Sequence, residues 1–321
     1  MRAERGYVLI VVLGALALIA VVAARFAQRL DGLREQVLSM KTYAQQRLDQ
    51  HSALAAALYV VTTRPPGPGG FGSIARPDLW ADGRNYQFPS GAQVSIQDQR
   101  GLFSLASFER SDLERLLRSL GAEAGSTDAL IDVLLDYQDT DSLKRLNGAE
   151  APDYASAGLP PPRNDWLISS RELERMPLWR DRPELLRKLD RLASIRRGAE
   201  VNINTAPKEL LGVILPQARP DQVERLDAWR RQIPFVTAAA AQEAAGLMIA
   251  SEAYAFHVGD QFLLRVAAAG APRALQYNLQ LAPDGRDAPW TIFEAHPVVN
   301  SKTAAVRPER ATPFPLELRP N

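Results

Sequence analysis

The 321-residue chain has no cysteine, which excludes disulfides, thiolate nucleophiles and cysteine-containing zinc sites. Histidine is scarce: His51, His257 and His296 are far apart in sequence, so a histidine-based metal site or catalytic triad would need an unusual arrangement. No charge of one sign dominates. Lys plus Arg number 38 and Asp plus Glu 37, a net charge of +1, and without a bulk positive field nothing general holds a polyanion. Nucleic acid is therefore not an expected partner. Gly-x-Ser-x-Gly, His-Glu-x-x-His and Walker-type loops are also missing, and the expectation is a protein that is not an enzyme. What remains, 46% hydrophobic and 23% charged residues, is the composition of a folded chain, long enough for two domains.

The N-terminus carries the strongest signal. Tyr7 to Ala24 holds 18 residues without a charge, and a helix of that length spans about 27 Å, close to the bilayer core. Arg2 and Arg5 against Glu4 precede it, and Arg25, Arg29 and Arg34 against Asp31 and Glu35 come after it, so the positive-inside comparison sets no orientation. Such a run fits a secretory signal cut near Val22-Ala23-Ala24, an uncut signal anchor, or a third class defined by the residues C-terminal to the run. From Arg25 to Val61 there is no proline and a single glycine, while Phe26, Leu30, Leu33, Val37, Met40 and Ala44 recur at steps of four and three. That pattern predicts an amphipathic helix continuing the apolar one without a break, about 80 Å in all. Thr62 to Gly67 stops it. A cleavable signal has no need of such a continuation.

Beyond it, the chain reads as a split sheet around a helical insertion. Pro65 to Gly72 is rich in breakers, but its prolines lack the donors a phosphate cradle needs and no Lys-Ser/Thr comes after them. Val94, Ile96 and Leu102 mark a short strand. Ser111 with Glu114 predicts a capping box ahead of Leu113, Leu116, Leu117 and Leu120, and Ala129 to Tyr137 continues as helix. A similar extended lead, helix, loop and helix recurs from Ile203 to Gln232, a hint of duplication. Strands return with Phe262, Leu264 and Val266, then Leu275 to Leu281 alternating with polar residues across a Gly270-Ala271-Pro272 turn, and Trp290 to Phe293. Proline-rich sequence from Pro297 predicts an extended tail.

Two segments carry possible chemistry. Val201 to Leu211 looks like the opening of a helix-hairpin-helix DNA-binding module, but Leu215 to Pro220, where the phosphate-gripping hairpin would lie, has two prolines and no glycine. The basic run Arg187, Lys188, Arg191, Arg196 and Arg197 is interleaved with acids and suits a solvated face. Asp136, Asp139, Asp141, Asn147, Glu150 and Asp153 place six oxygen-bearing side chains within eighteen residues of a glycine-containing loop. Hard oxygen donors on a loop suit calcium or a solvated acidic turn. Their spacing is not that of an EF-hand.

A short polar leader ending in Gly6, the aromatic Tyr7, the apolar run and the fused amphipathic helix together resemble the N-terminus of type IV pilins and of type II secretion pseudopilins. That resemblance implies cleavage by a prepilin peptidase between Gly6 and Tyr7 and methylation of the new N-terminus. The fifth mature residue, commonly glutamate in those families, is Val11, which resembles the general secretion pathway protein K family of minor pseudopilins. LLDYQDTDSLKRLNGAEAPDY is similar to that family's calcium-binding insertion stretch, with Tyr137 in place of the usual tryptophan; the aligned ligand candidates are Asp139, Asp141, Glu150 and Asp153. Ser142 to Arg145 departs from it, standing where further acidic residues are common. The segments Pro161 to Asp165 and Ser170 to Leu173, and the Asn-Thr-Ala of Asn204 to Ala206, resemble the same family, where the last is structural.

The fold implied is α+β and type IV pilin-like: a long N-terminal helix packed on a small antiparallel sheet, with a large all-α insertion domain. Its expected parts are a leader at 1–6, the N-terminal helix at 7–61, a pilin-like α/β domain from 62–103 and 247–296, the insertion at 104–246 and a tail at 297–321. The function implied is that of a minor pseudopilin at the tip of a periplasmic pseudopilus, initiating its assembly. Implied partners are the minor pseudopilins I and J, the major pseudopilin, the prepilin peptidase and the bacterial inner membrane, which it would span once with its bulk in the periplasm. A membrane-anchored periplasmic protein that binds or takes up DNA through the helix-hairpin-helix-like segment is the alternative.

Overall fold

The structure, a computed structural model, describes residues 4–250, 252–299 and 312–315, with side chains from Val8 onward. Residues 1–3 of the expected leader lie outside the described residues, as do the side chains of Gly6 and Tyr7. The chain divides into two compact units, Met1–Ser52 and Ala53–Asn321.

From Glu4 to Ser52 the first unit is part of helix α1 (Glu4–Thr63). No proline interrupts the helix, so its hydrogen-bond ladder is unbroken. Leu9, Ile10, Leu13, Leu16, Leu18 and Ile19 are all exposed. This is the one helix among the described residues long and apolar enough to cross a membrane, and side chains of that kind require an apolar surround.

The second unit begins with the last turns of α1, where small residues face inward. Ala53, Ala57, Leu58, Val60 and Val61 pack into a core with residues of a six-stranded sheet. Its strands are β3 (Asp82–Gln87), β4 (Gln93–Asp98), β9 (Gln261–Ala267), β10 (Arg273–Leu281), β11 (Trp290–Val299) and β12 (Thr312–Pro313), in the order β11-β10-β9-β4-β3-β12. All neighbours are antiparallel except the β3–β12 pair. A hairpin of β1 (Gly70–Gly72) and β2 (Pro77–Trp80) precedes them. Phe262, Leu264 and Val266 are buried against α1, as their alternation predicts, with Val94 and Ile96 of β4 beside them.

The opposite face of the sheet is polar and nonetheless covered. Gln276 and Asn278, which a half-buried strand would turn to water, are buried. The insertion reaches them: Asp190 accepts from Arg265, which also donates to Gln276 (2.5 Å), and Ser169 donates to Glu294, which accepts from Asn278 (2.6 Å).

Between β4 and β9 the chain builds the helical part. Its elements are β5 (Phe103–Ser104), α2 (Arg110–Ser119), α3 (Ala124–Gln138), α4 (Ala151–Ser156), α5 (Pro183–Leu189), β6 (Ala193–Ser194), β7 (Val201–Asn202), α6 (Lys208–Ile214), α7 (Pro220–Arg230), α8 (Ala238–Ala245) and β8 (Tyr254–Ala255). Two halves with separate cores emerge. Leu113, Leu116, Leu117, Leu130, Leu134 and Trp179 centre the first, and Ile203, Leu211, Leu215, Leu226 and Ala241 the second. Each half starts with a short strand that is closed by a parallel partner, β5 with β6 and β7 with β8. The lead, helix, loop and helix repeat seen in the sequence is thus present twice.

Three local expectations differ from what is found. Helix α2 starts at Arg110 with Glu109 as its N-cap rather than Ser111, which places the Arg110 guanidinium against the buried Asp132 of α3. Pro65 to Gly72 is not all loop, since Gly70–Gly72 pairs with β2 and a Cβ on Gly70 would collide with the Leu79 carbonyl. The region beyond Pro297 is not simply a tail. Strand β11 runs on to Val299, and Thr312–Pro313 pairs with β3 because Phe314 is buried, its ring stacked 4.4 Å from that of Phe88.

Candidate metal centre

Helix α3 ends at Gln138 and α4 starts at Ala151, so residues 139–150 form the acidic loop between two fixed helix ends. Its anchor is Asp136, fully buried in the last turn of α3. That carboxylate accepts from the Arg145 backbone N–H (3.2 Å) and from Arg145 Nη1 (2.6 Å). The loop passes so close above it that a Cβ at position 148 would overlap Asp136 Oδ2, which is why glycine stands there. Asn147 is occupied structurally: its N–H and Nδ2 both donate to Asp132 Oδ2 at 3.2 Å.

Carboxylate oxygens of Asp139, Asp141 and Glu150 lie within 4.8 Å of one another. Asp141 is exposed and accepts from the Leu143 N–H (2.7 Å). Glu150 is 5% exposed, and its Oε1, like Asp139 Oδ1, is buried with no hydrogen-bond partner. Burial, then repulsion from Asp136, Asp139 and Asp141, pushes the Glu150 carboxyl above the ordinary range. The fourth candidate, Asp153, lies outside this group. It accepts from Lys144 Nζ (2.7 Å) with one oxygen and from the Glu150 N–H (2.9 Å) with the other, and the lysine contact, then the backbone one, holds its carboxyl low. Arg145 Nη1 also contacts Asp139 Oδ2 and so bridges Asp136 and Asp139. Three hard oxygen donors, two of them with orphaned buried oxygens, fit a divalent cation such as calcium.

Sequence reasoning missed a neighbouring carboxylate. Glu172 is buried, accepts from the Tyr137 hydroxyl (2.7 Å) and from the N–H groups of Ile168 and Ser169 (2.8 and 3.1 Å), and ties α3 to the turn at Ser170–Arg175. Its signal was the Ser169 and Glu172 spacing of a capping box, which the structure contains.

The Asn-x-Asn-Thr-Ala segment does structural work. Asp98, fully buried at the end of β4, accepts from Asn202 Nδ2 (3.1 Å), Thr205 Oγ1 (3.0 Å) and the N–H groups of Arg100 (3.0 Å) and Gly259 (3.2 Å). Asn204 accepts from the Phe235 N–H (2.7 Å) and donates to the Phe235 carbonyl (2.8 Å). Although α6 and α7 do form a helical hairpin, its backbone donors turn inward: Ala218 N–H bonds the Leu215 carbonyl and Arg219 N–H bonds Gln222 Oε1. The basic run is equally engaged. Arg196 is buried and donates to the carbonyls of Gly198 and Glu200, Lys188 bonds the Leu120 carbonyl, and Arg187 pairs with Glu184.

Comparison with known proteins places this architecture. Residues 95–197 match the family described as Type II secretion system (T2SS), protein K. A chain in the crystal structure of the GspK-GspI-GspJ complex from the type 2 secretion system of enterotoxigenic Escherichia coli is similar in fold, with a TM-score of 0.55 at 16% identity over 82% of this chain and 99% of that one. No curated protein matches the sequence. The fold defines a class, a pilin-like fold whose sheet is interrupted by a helical insertion. Within that class the segment that holds the first half of the insertion, residues 95–197, is the part that matches the type II secretion protein K family.

Proposed function

We propose that this chain is the minor pseudopilin at the tip of a periplasmic pseudopilus and that it starts assembly together with pseudopilins I and J. The carrying observation is the combination, in one chain, of a protein K insertion on a pilin-like sheet with an apolar N-terminal helix that has Val11 at the fifth position after Gly6. The solved complex of GspK with GspI and GspJ supports the choice of partners. On this reading a prepilin peptidase cuts between Gly6 and Tyr7, the new N-terminus is methylated, and the helix crosses the inner membrane once before joining the major pseudopilin. The role is structural rather than catalytic. In pilin-like filaments the glutamate at the fifth mature position pairs with the N-terminal ammonium of the preceding subunit. A first subunit has no predecessor, and an unpartnered charge inside the membrane costs up to about 2.5–3.5 kcal/mol on insertion scales, the upper value being that of the helix centre, a cost Val11 avoids.

N-terminal sequencing of the protein from native membranes should give a start at Tyr7, and pseudopilins I and J should co-purify with it. A start at Arg25 or Met1 overturns the pilin reading. Val11→Glu should leave secretion unchanged or slightly reduced; increased secretion, or labelled wild-type protein along the filament shaft, removes the tip assignment.

The acidic loop takes a structural calcium ion on the same reading. Asp139, Asp141 and Glu150 would hold it, and Asp153 would join only by leaving Lys144. Bound there, the ion neutralises mutually repelling carboxylates and ties the end of α3 to the start of α4. A ligand that binds only the folded state adds about 2.7 kcal/mol at a hundredfold excess over its dissociation constant, so the unfolding midpoint of the full chain in detergent should be higher in calcium than in chelator.

A further inference from the structure

Lys144 and Arg145 stand where an acidic loop of this kind gains nothing from them as ligands, yet both are engaged. Arg145 Nη1 reaches the buried Asp136 at 2.6 Å and also touches Asp139 Oδ2, while the other Asp139 oxygen and Glu150 Oε1 are buried without partners. One guanidinium therefore neutralises two carboxylates, one fully buried and one belonging to the three-carboxylate group. Asp136 has no share in that group, and its hold on Arg145 is doubled by the Arg145 backbone N–H. The two contacts are thus unequal: Asp136 is fully buried and also bound by the backbone N–H, whereas Asp139 is 23% exposed and held by the guanidinium alone.

We propose that Arg145 is a built-in counter-cation that keeps the loop folded without a divalent ion, and that an incoming ion must take Asp139 from it. The inference rests on the divalent-ion reading and adds to it a competition. A planar guanidinium bound to a carboxylate lowers that oxygen's availability to a second cation, so the site binds the ion more weakly than the same carboxylates would alone. The loop is then stable in either state, with Arg145 on Asp136 throughout and Asp139 passing between arginine and ion.

The test is the thermal unfolding midpoint of the full chain in detergent, measured against free calcium in a chelator-buffered series, for wild type and Arg145→Gln. In chelator the variant should unfold at lower temperature than wild type, because Asp136 loses its charge partner. Its half-saturating calcium concentration should nevertheless be lower, roughly two- to fivefold, the range expected for releasing one partly exposed ion pair. A variant that folds in calcium but not in chelator supports the proposal. If calcium stabilises both proteins with equal midpoints, or the variant needs more calcium, the competition is wrong and the calcium site stands. If calcium stabilises neither, the site itself falls and the competition with it. Should Arg145→Gln fold under neither condition, the double variant Asp136→Asn/Arg145→Gln, which asks no bare carboxylate to be buried, takes its place; a calcium midpoint equal to wild type's then overturns the proposal.

Discussion

The two halves of the helical insertion solve one problem in different ways. Each has a short lead strand, two helices joined by a tight hairpin, and a parallel strand that closes the half. Each also buries an aspartate near the end of its second helix, Asp136 in α3 and Asp227 in α7. Asp227 takes its partner from its own helix. Arg230, three residues on and itself buried, donates to it through Nε (2.9 Å) and Nη2 (2.5 Å), Arg231 adds a contact at 2.8 Å, and Arg230 Nη1 bonds the carbonyls of Ile203 and Ala206 at 2.6 Å each. Asp136 has no cation on α3. Its partner comes from nine residues downstream on the loop, and three more carboxylates gather around that loop. A partner on the same helix turn is fixed once the helix forms; a partner on a loop must be held by the loop, which is the arrangement that leaves room for an exchangeable ion.

The comparison breaks most visibly at Arg230. Arg230→Met should leave Asp227 buried with only Arg231 beside it and free two buried carbonyls, and removing one partner of a buried pair costs about 3–5 kcal/mol. Arg231 moderates this, so the lower end is expected, read as a fall in the unfolding midpoint or in the denaturant midpoint of the full chain. A loss below about 1 kcal/mol would show that the second half does not depend on its internal cation. The first half has its own sharp point at Gly148. Gly148→Ala sets a methyl against the Asp136 carboxylate, and overpacking of this kind costs about 1–3 kcal/mol. Because the methyl lifts the loop from its anchor, calcium should restore less stability to Gly148→Ala than to wild type, whereas Arg230→Met should keep its full response to calcium. Equal calcium responses in the two variants would mean that the halves are not separable in this way.

How far the sequence spoke depends on whether a feature is local. Helix α1, the leucine faces of α2 and α3 and the β9–β10 hairpin were legible because each is written in a periodicity or a turn within a few residues. The repeat of the halves was visible for the same reason, from two similar runs about a hundred residues apart. Asp139, Asp141 and Glu150 stood among six oxygen-bearing side chains on one loop, which the resemblance to the protein K family narrowed to four, and the structure brings these three together. Asp153 looked equivalent through that resemblance, yet its place in the first turn of α4 gives it to the Glu150 N–H and to Lys144. What could not be read was long-range. Asp98 meets Asn202 and Thr205 across more than a hundred residues, the polar side of β10 is buried only because the insertion folds back over it, and β12 pairs with β3 through Phe314. None of these leaves a local pattern.

The smallest effect expected lies at the two helix N-termini, where the halves are alike. Asp153 in the first turn of α4 pairs with Lys144, and Asp221 in the first turn of α7 with Arg219 and Arg225. Both carboxyls are held below the ordinary aspartate range, Asp153 first by Lys144 and Asp221 first by Arg219. A carboxyl whose folded-state value is depressed contributes stability that is present above its unfolded value and lost as pH falls through the folded one. For Asp153 that window opens near the unperturbed aspartate value of 3.8 and extends downward. Lys144→Gln removes the leading cause and keeps the Glu150 N–H, so the folded value rises part of the way back. With both side chains exposed by more than a third, solvent screening limits the change to under about 0.5 kcal/mol. In chelator, the unfolding midpoint of Lys144→Gln should sit slightly below wild type at pH 6 and converge with it toward pH 3. A gap that persists undiminished at pH 3 would show that Lys144 acts through packing rather than through the charge of Asp153.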